Sequence, residues 1–83
     1  MQLIYFSRVR EQIGLGEETF DLPTEAKTVA DLVSLLTSRD NTYAAALADM
    51  KFIRVAVNQN HVGLNHTLTN QDEVAFFPPV TGG

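Results

Sequence analysis

The chain of 83 residues contains no cysteine. That absence removes a disulfide framework, a thiolate metal site and a cysteine nucleophile, so any sulfur chemistry must be brought from outside. There is no run of Lys or Arg, and a formal charge of −4 disfavours a phosphate-backbone partner. Nucleic acid is not an expected partner. No apolar stretch approaches the ~20 residues that cross a bilayer, and the N-terminus lacks a basic, apolar and cleavage-site succession. The expectation is a soluble, cytoplasmic protein with no membrane partner. No glycine-rich loop precedes the long helix, which excludes a phosphate cradle and, with it, nucleotide binding by this chain alone. Ser7, Ser34 and Ser38 lack a nucleophile's context, and the 10 acidic residues are scattered without an evident pair. His61 and His66, with Asp72 further on, match no standard zinc spacing, so no metal site is expected. The chain by itself does not read as an enzyme.

What is present is an ordinary globular mixture. An apolar share of 45% with 19% charged residues argues for a folded chain. This length makes one domain, and such a chain buries only about 60% of the surface it exposes when unfolded, so its core must be compact. Residues 2–7 predict a first strand, since Leu3, Ile4, Tyr5 and Phe6 form an apolar run rich in strand-forming types. Ser7 can cap a short helix in which Val9 and Ile13 share a face, with Gly14 placed for a left-handed C-terminal cap. Residues 17–22 predict a second strand, ended by Pro23.

The best local signal begins at Thr28. Thr28 and Asp31 have the spacing of a capping box, and Val29, Leu32, Val33 and Leu36 then repeat at helical intervals. Residues 43–47 suggest a second, shorter helix. Residues 52–57 alternate as a strand, 58–60 make a turn, 61–64 a short strand, and 73–77 the final strand. A mixed sheet packed on one main helix, with the last strand parallel to the first, is an α+β fold of the β-grasp, ubiquitin-like type. The expected organisation is a β-grasp domain over 1–77 and an extended tail over 78–83.

That tail is the most distinctive stretch. Proline fixes φ and keeps the preceding residue extended, so Phe77, Pro78 and Pro79 predict a stiff exit from the domain. Val80 and Thr81 prefer extended backbone, whereas Gly82 and Gly83 present only backbone and a terminal carboxylate, able to enter a slot too narrow for a side chain. At roughly 3.3 Å per residue the six residues reach about 20 Å, deep into another protein. A bare Gly-Gly ending is weak evidence, because termini commonly fray. The aromatic pair and the proline pair directly before it make the signal stronger.

The run Asp72-Glu73-Val74-Ala75-Phe76-Phe77-Pro78-Pro79-Val80-Thr81-Gly82-Gly83 resembles the C-terminal signature of the small, sulfur-carrier subunit of molybdopterin synthase. Ala56-Val57-Asn58-Gln59 and Val9-Arg10-Glu11 resemble that family too, and the likeness runs from end to end. It implies a sulfur carrier in molybdenum cofactor biosynthesis. Gly83 would be converted to an acyl-adenylate by an activating enzyme using ATP and magnesium, then to a thiocarboxylate. The covalent sulfur would pass to cyclic pyranopterin monophosphate within a heterotetramer whose large subunit supplies the catalytic residues. A thiocarboxylate is ionised and nucleophilic at neutral pH by the logic that governs thiolates. No stably bound cofactor is implied.

For the docking surface, period-two alternation puts Val74 and Phe76 on one face of the last strand and Ala75 and Phe77 on the other. Phe76 is then a core residue. Phe77, beside the tail exit, and Phe6 on the first strand are the expected partner contacts. The resemblance places His61 on the same surface, at a position where the family pattern has an apolar residue. Three further readings are a thiazole-pathway sulfur carrier, whose relatives are usually shorter and lack the Phe-Pro-Pro approach, a ubiquitin-like protein modifier, and a plain β-grasp interaction module whose tail does nothing covalent.

Overall fold

The computed structural model describes residues 1–79. Its elements run β1 (Gln2–Tyr5), α1 (Ser7–Ile13), β2 (Glu17–Thr19), α2 (Val29–Arg39), α3 (Asn41–Ala46), a 3-10 turn (Met50–Phe52), β3 (Arg54–Val57), β4 (Asn60–Val62) and β5 (Glu73–Phe77). The strands form one sheet in the order β2-β1-β5-β3-β4, with β5 parallel to β1 and every other pair antiparallel. The first and last strands therefore lie side by side at its centre, the β-grasp arrangement.

The long helix starts as its sequence predicts. The Thr28 hydroxyl accepts from the Asp31 amide at 3.2 Å and the Asp31 carboxylate accepts from the Thr28 amide at 3.1 Å, closing a reciprocal capping box. Backbone donors from Lys27 and Thr28 hold the Asp31 carboxyl below the usual range. Val29, Leu32 and Leu36 are wholly buried against the inner face of the sheet, where Leu3, Val74 and Phe76 are wholly buried too, and Val33 packs at the margin. Tyr5 stacks on Phe76 at 5.9 Å between ring centres and meets the edge of Tyr43 at 6.4 Å. This aromatic trio ties the central strands to α3.

Several boundaries differ from the sequence expectation, each for a local reason. Ser7 does not cap α1: Phe6 is the N-cap, no side chain closes it, and Ser7 itself has a φ of 51°. Gly14 does take the left-handed C-cap, with φ of 88°. The second strand stops at Thr19, after which Phe20 and Leu22 turn inward as irregular chain held by Met1 and Asn70. Phe52 belongs to the 3-10 turn and is 58% exposed, so the third strand begins at Arg54. Asn58 and Gln59 both have positive φ and form a two-residue hairpin turn, so β4 starts at Asn60 and stops at Val62.

Candidate docking face at the root of the C-terminal segment

One face of the sheet is covered by the helices and the other carries the candidate site. Register builds the open face as three rows across the strands. In the middle row Glu17, Ile4, Ala75, Ala56 and His61 stand side by side, through the pairs Ile4 with Glu17, Ile4 with Ala75, Ala56 with Ala75 and Ala56 with His61. Two residues toward the start of β5, Thr19, Gln2 and Glu73 make a polar row. Two residues toward its end, Phe77 pairs with Arg54, and Phe6 lies on the opposite flank, its amide donating to the Phe76 carbonyl at 3.1 Å.

Three of the site residues expected from sequence meet on this face. Phe6, His61 and Phe77 line one shallow groove floored by Ile4, Ala56 and Ala75, with Gln59 and Glu73 at its rim. Phe6 is 47% exposed, an unusual state for a phenylalanine beside a central strand. The His61 and Phe77 rings lie 5.3 Å apart at a tilt of 60°. Phe77 is half-buried whereas its neighbour Phe76 is wholly buried, which is the alternation predicted for β5. Small Ala56 and Ala75 between larger neighbours make the hollow. Sequence reasoning missed them, together with Ile4, as parts of the site, because only the register shows that they stand in one row.

Beneath the groove, a polar cluster fixes the end of β1, next to which Phe6 stands. The Glu18 carboxylate accepts from the Tyr5 hydroxyl at 2.8 Å and the Tyr43 hydroxyl at 2.5 Å, and from the Arg39 guanidinium at 3.1 Å. Arg39 also lies over the Tyr43 ring at 5.0 Å. Burial pushes the Glu18 carboxyl up, but the donors outweigh it and hold the group below the usual range. Burial and the same carboxylate push Tyr43 up to about 12 and Tyr5 further still. These groups are structural: they lie on the helix side of the sheet, where β1, β2, α2 and α3 meet.

At the root of the last segment, Pro78 and Pro79 follow β5 outside any element and are half-buried. Pro78 lines a hollow with Arg8, Val9, Gln12, Phe52 and Ile53, so α1 and the 3-10 turn flank the exit. Val80, Thr81, Gly82 and Gly83, expected from sequence to carry the reacting terminus, lie outside the described residues. Among the described residues no three His, Cys, Asp or Glu side chains converge as metal ligands, and no helix is long and apolar enough to cross a membrane.

The ThiS family model matches residues 3–83. The chain is 40% identical over 83 residues to the molybdopterin synthase sulfur carrier subunit of Escherichia coli strain K12, an alignment covering 100% of this chain and 99% of that one. Among solved structures, SAMP1 from Haloferax volcanii superposes with a TM-score of 0.79 at 26% identity, over 100% of this chain and 98% of that one. Small archaeal modifier protein 1 from Methanosarcina acetivorans does so with a TM-score of 0.65 at 28% identity, over 99% and 94%. The chain belongs to the ThiS family and, at 40% identity over its full length, to the molybdopterin synthase sulfur carrier subunits.

Proposed function

We propose that this chain carries sulfur for molybdopterin synthesis, with Gly83 as the acyl carrier. The observation that carries the reading is the groove of Phe6, His61 and Phe77, which sits directly at the residue from which the last six depart. A partner docked on a surface so placed would meet the chain at the root of its last six residues, which supports the reading. A carboxylate is a poor electrophile, so an adenylating enzyme first joins the Gly83 carboxylate to the α-phosphorus of ATP, with magnesium neutralising the released pyrophosphate. A sulfur nucleophile then attacks the acyl carbon and AMP leaves, giving the thiocarboxylate. Docked on the large subunit of molybdopterin synthase, the thiocarboxylate donates its sulfur to cyclic pyranopterin monophosphate. The large subunit supplies the acid–base groups, and this chain supplies anchoring, aim and one sulfur per visit.

A second reading, attachment of Gly83 to lysines as a protein modifier, is favoured by the superposition on SAMP1 over the whole chain. Mass spectrometry separates the two. Incubation with an adenylating partner, ATP and a sulfur source should add about 16 Da, the exchange of one oxygen for sulfur at the terminus. Loss of that increment on adding the large subunit and pyranopterin substrate supports the carrier reading. A ladder of heavier conjugates with no such increment supports the modifier, and an unchanged mass throughout removes both.

A further inference from the structure

The apolar groove alone does not say which way round a partner sits, because burial of apolar surface is non-directional. The charges around it do. At the tail end of the open face stands a cation, Arg54, paired in register with Phe77; Arg8 lies off this face, in the hollow of Pro78, which Asp49 also lines. At the opposite end stands Glu73, four residues back along β5 or about 13 Å away. Arg54 is exposed and Glu73 half-exposed. Among the described residues the one ion pair is Arg39 with Glu18, so neither Arg54 nor Glu73 has a charged partner within the described chain. Along β5 and β3 the face thus runs from positive at Arg54 to negative at Glu73, across the uncharged floor of Ile4, Ala56 and Ala75, with a second carboxylate, Glu17, on the β2 side of the middle row.

We propose that this charge axis orients docking. The partner surface would present carboxylates beside the channel that takes the last residues, and cations where it covers Glu73. The inference rests on the carrier reading, with the large subunit of molybdopterin synthase as occupant. A partner turned end for end would fill the same groove but set carboxylate against Glu73 and cation against Arg54, with the terminus aimed away from its channel. Like-charge juxtaposition penalises that pose, which is how interfacial charges act on register and encounter rate.

The test uses the full chain and the large subunit from the same source, with affinity by calorimetry and association by stopped flow at low and high salt. Arg54→Glu and Glu73→Lys change net charge in opposite directions. The axis predicts that both weaken binding, each by about tenfold at low salt, less at high salt because of screening. The exchange Arg54→Glu with Glu73→Lys keeps the net charge of −4 and should be worse than either single change. Arg54→Gln and Glu73→Gln, which need no reversal to be tolerated by the fold, should each cost about two- to threefold. Opposite effects of the two reversals would show that net charge alone governs association and overturn the inference. An exchange variant within twofold of the wild type would do the same while leaving the carrier reading intact. A wild-type chain that does not bind the large subunit overturns that reading and this inference together.

Discussion

Phe76 and Phe77 follow one another on β5 and meet opposite environments. Phe76 is wholly buried and stacked on Tyr5, whereas Phe77 is half-buried against His61 on the open face. Truncating the first should leave a cavity between sheet and helix. Phe76→Ala, and Leu32→Ala on the facing helix, are expected to cost about 2–5 kcal/mol in urea unfolding, a large share of the stability of so small a domain. Phe77→Ala should unfold close to the wild type and lose its effect elsewhere. An interface anchor of this kind is worth about 2 kcal/mol or more, roughly thirtyfold in affinity for the large subunit. Equal losses of unfolding free energy in the two phenylalanine variants would assign both rings to the core. His61 shows why the site was only partly legible in the sequence. Its residue type carries no docking signal: the family resemblance alone put it on this surface, and strand pairing shows it in the row of Ala56 and Ala75, beside Phe77.

Among the elements, those with a strong period were legible, α2 at its start and β5 at both ends, and those defined by their neighbours were not. The capping box and the spacing of Val29, Leu32 and Leu36 located α2, and the alternation of Glu73 to Phe77 gave β5 its true ends. The second strand was read too long because Phe20 and Leu22 are apolar. Leu22 is buried where Asn70 holds it and Phe20 packs half-buried at the core's margin beside Met1, both outside the strand, and a residue pattern does not distinguish such burial from that of a strand. That short strand nevertheless carries Glu18, where four elements meet. The folded-state pKa of Glu18 is depressed, so its contribution to stability is whole above the ordinary glutamate range and is lost as pH falls through the depressed value. Tyr43 runs the other way. Its raised value means that its contribution is whole below 10.0 and is lost as pH climbs toward about 12. Glu18→Gln should lower stability at neutral pH by about 1–3 kcal/mol and flatten both limbs of a pH series of urea midpoints. An unchanged acid limb would take Glu18 out of the account.

At the scale of the whole molecule, the proposed function asks the residues that follow β5 to bring the end of the chain to a reacting centre in another protein. Deleting Gly83, or adding one residue after it, should therefore abolish sulfur transfer while leaving thermal unfolding unchanged, since reacting atoms must come within about 3–3.5 Å and the wholly buried core lies elsewhere. Transfer by either variant would remove the terminus from the mechanism. The prolines give the finer test, because they separate holding from aiming. Pro78 is flanked by Val9, Gln12 and Phe52, so the segment leaves the domain through a lined exit. Replacing Pro78 and Pro79 by glycine keeps Phe6, His61 and Phe77 in place but frees the backbone that joins them to Gly83. Affinity for the large subunit should then fall by only about two- to threefold, because the anchors are intact. Single-turnover sulfur transfer should slow by about tenfold or more, since the terminus samples many directions before it reaches the attack geometry. If affinity and transfer fall by the same factor, the prolines belong to the docking surface, and aim is set instead by the partner's channel.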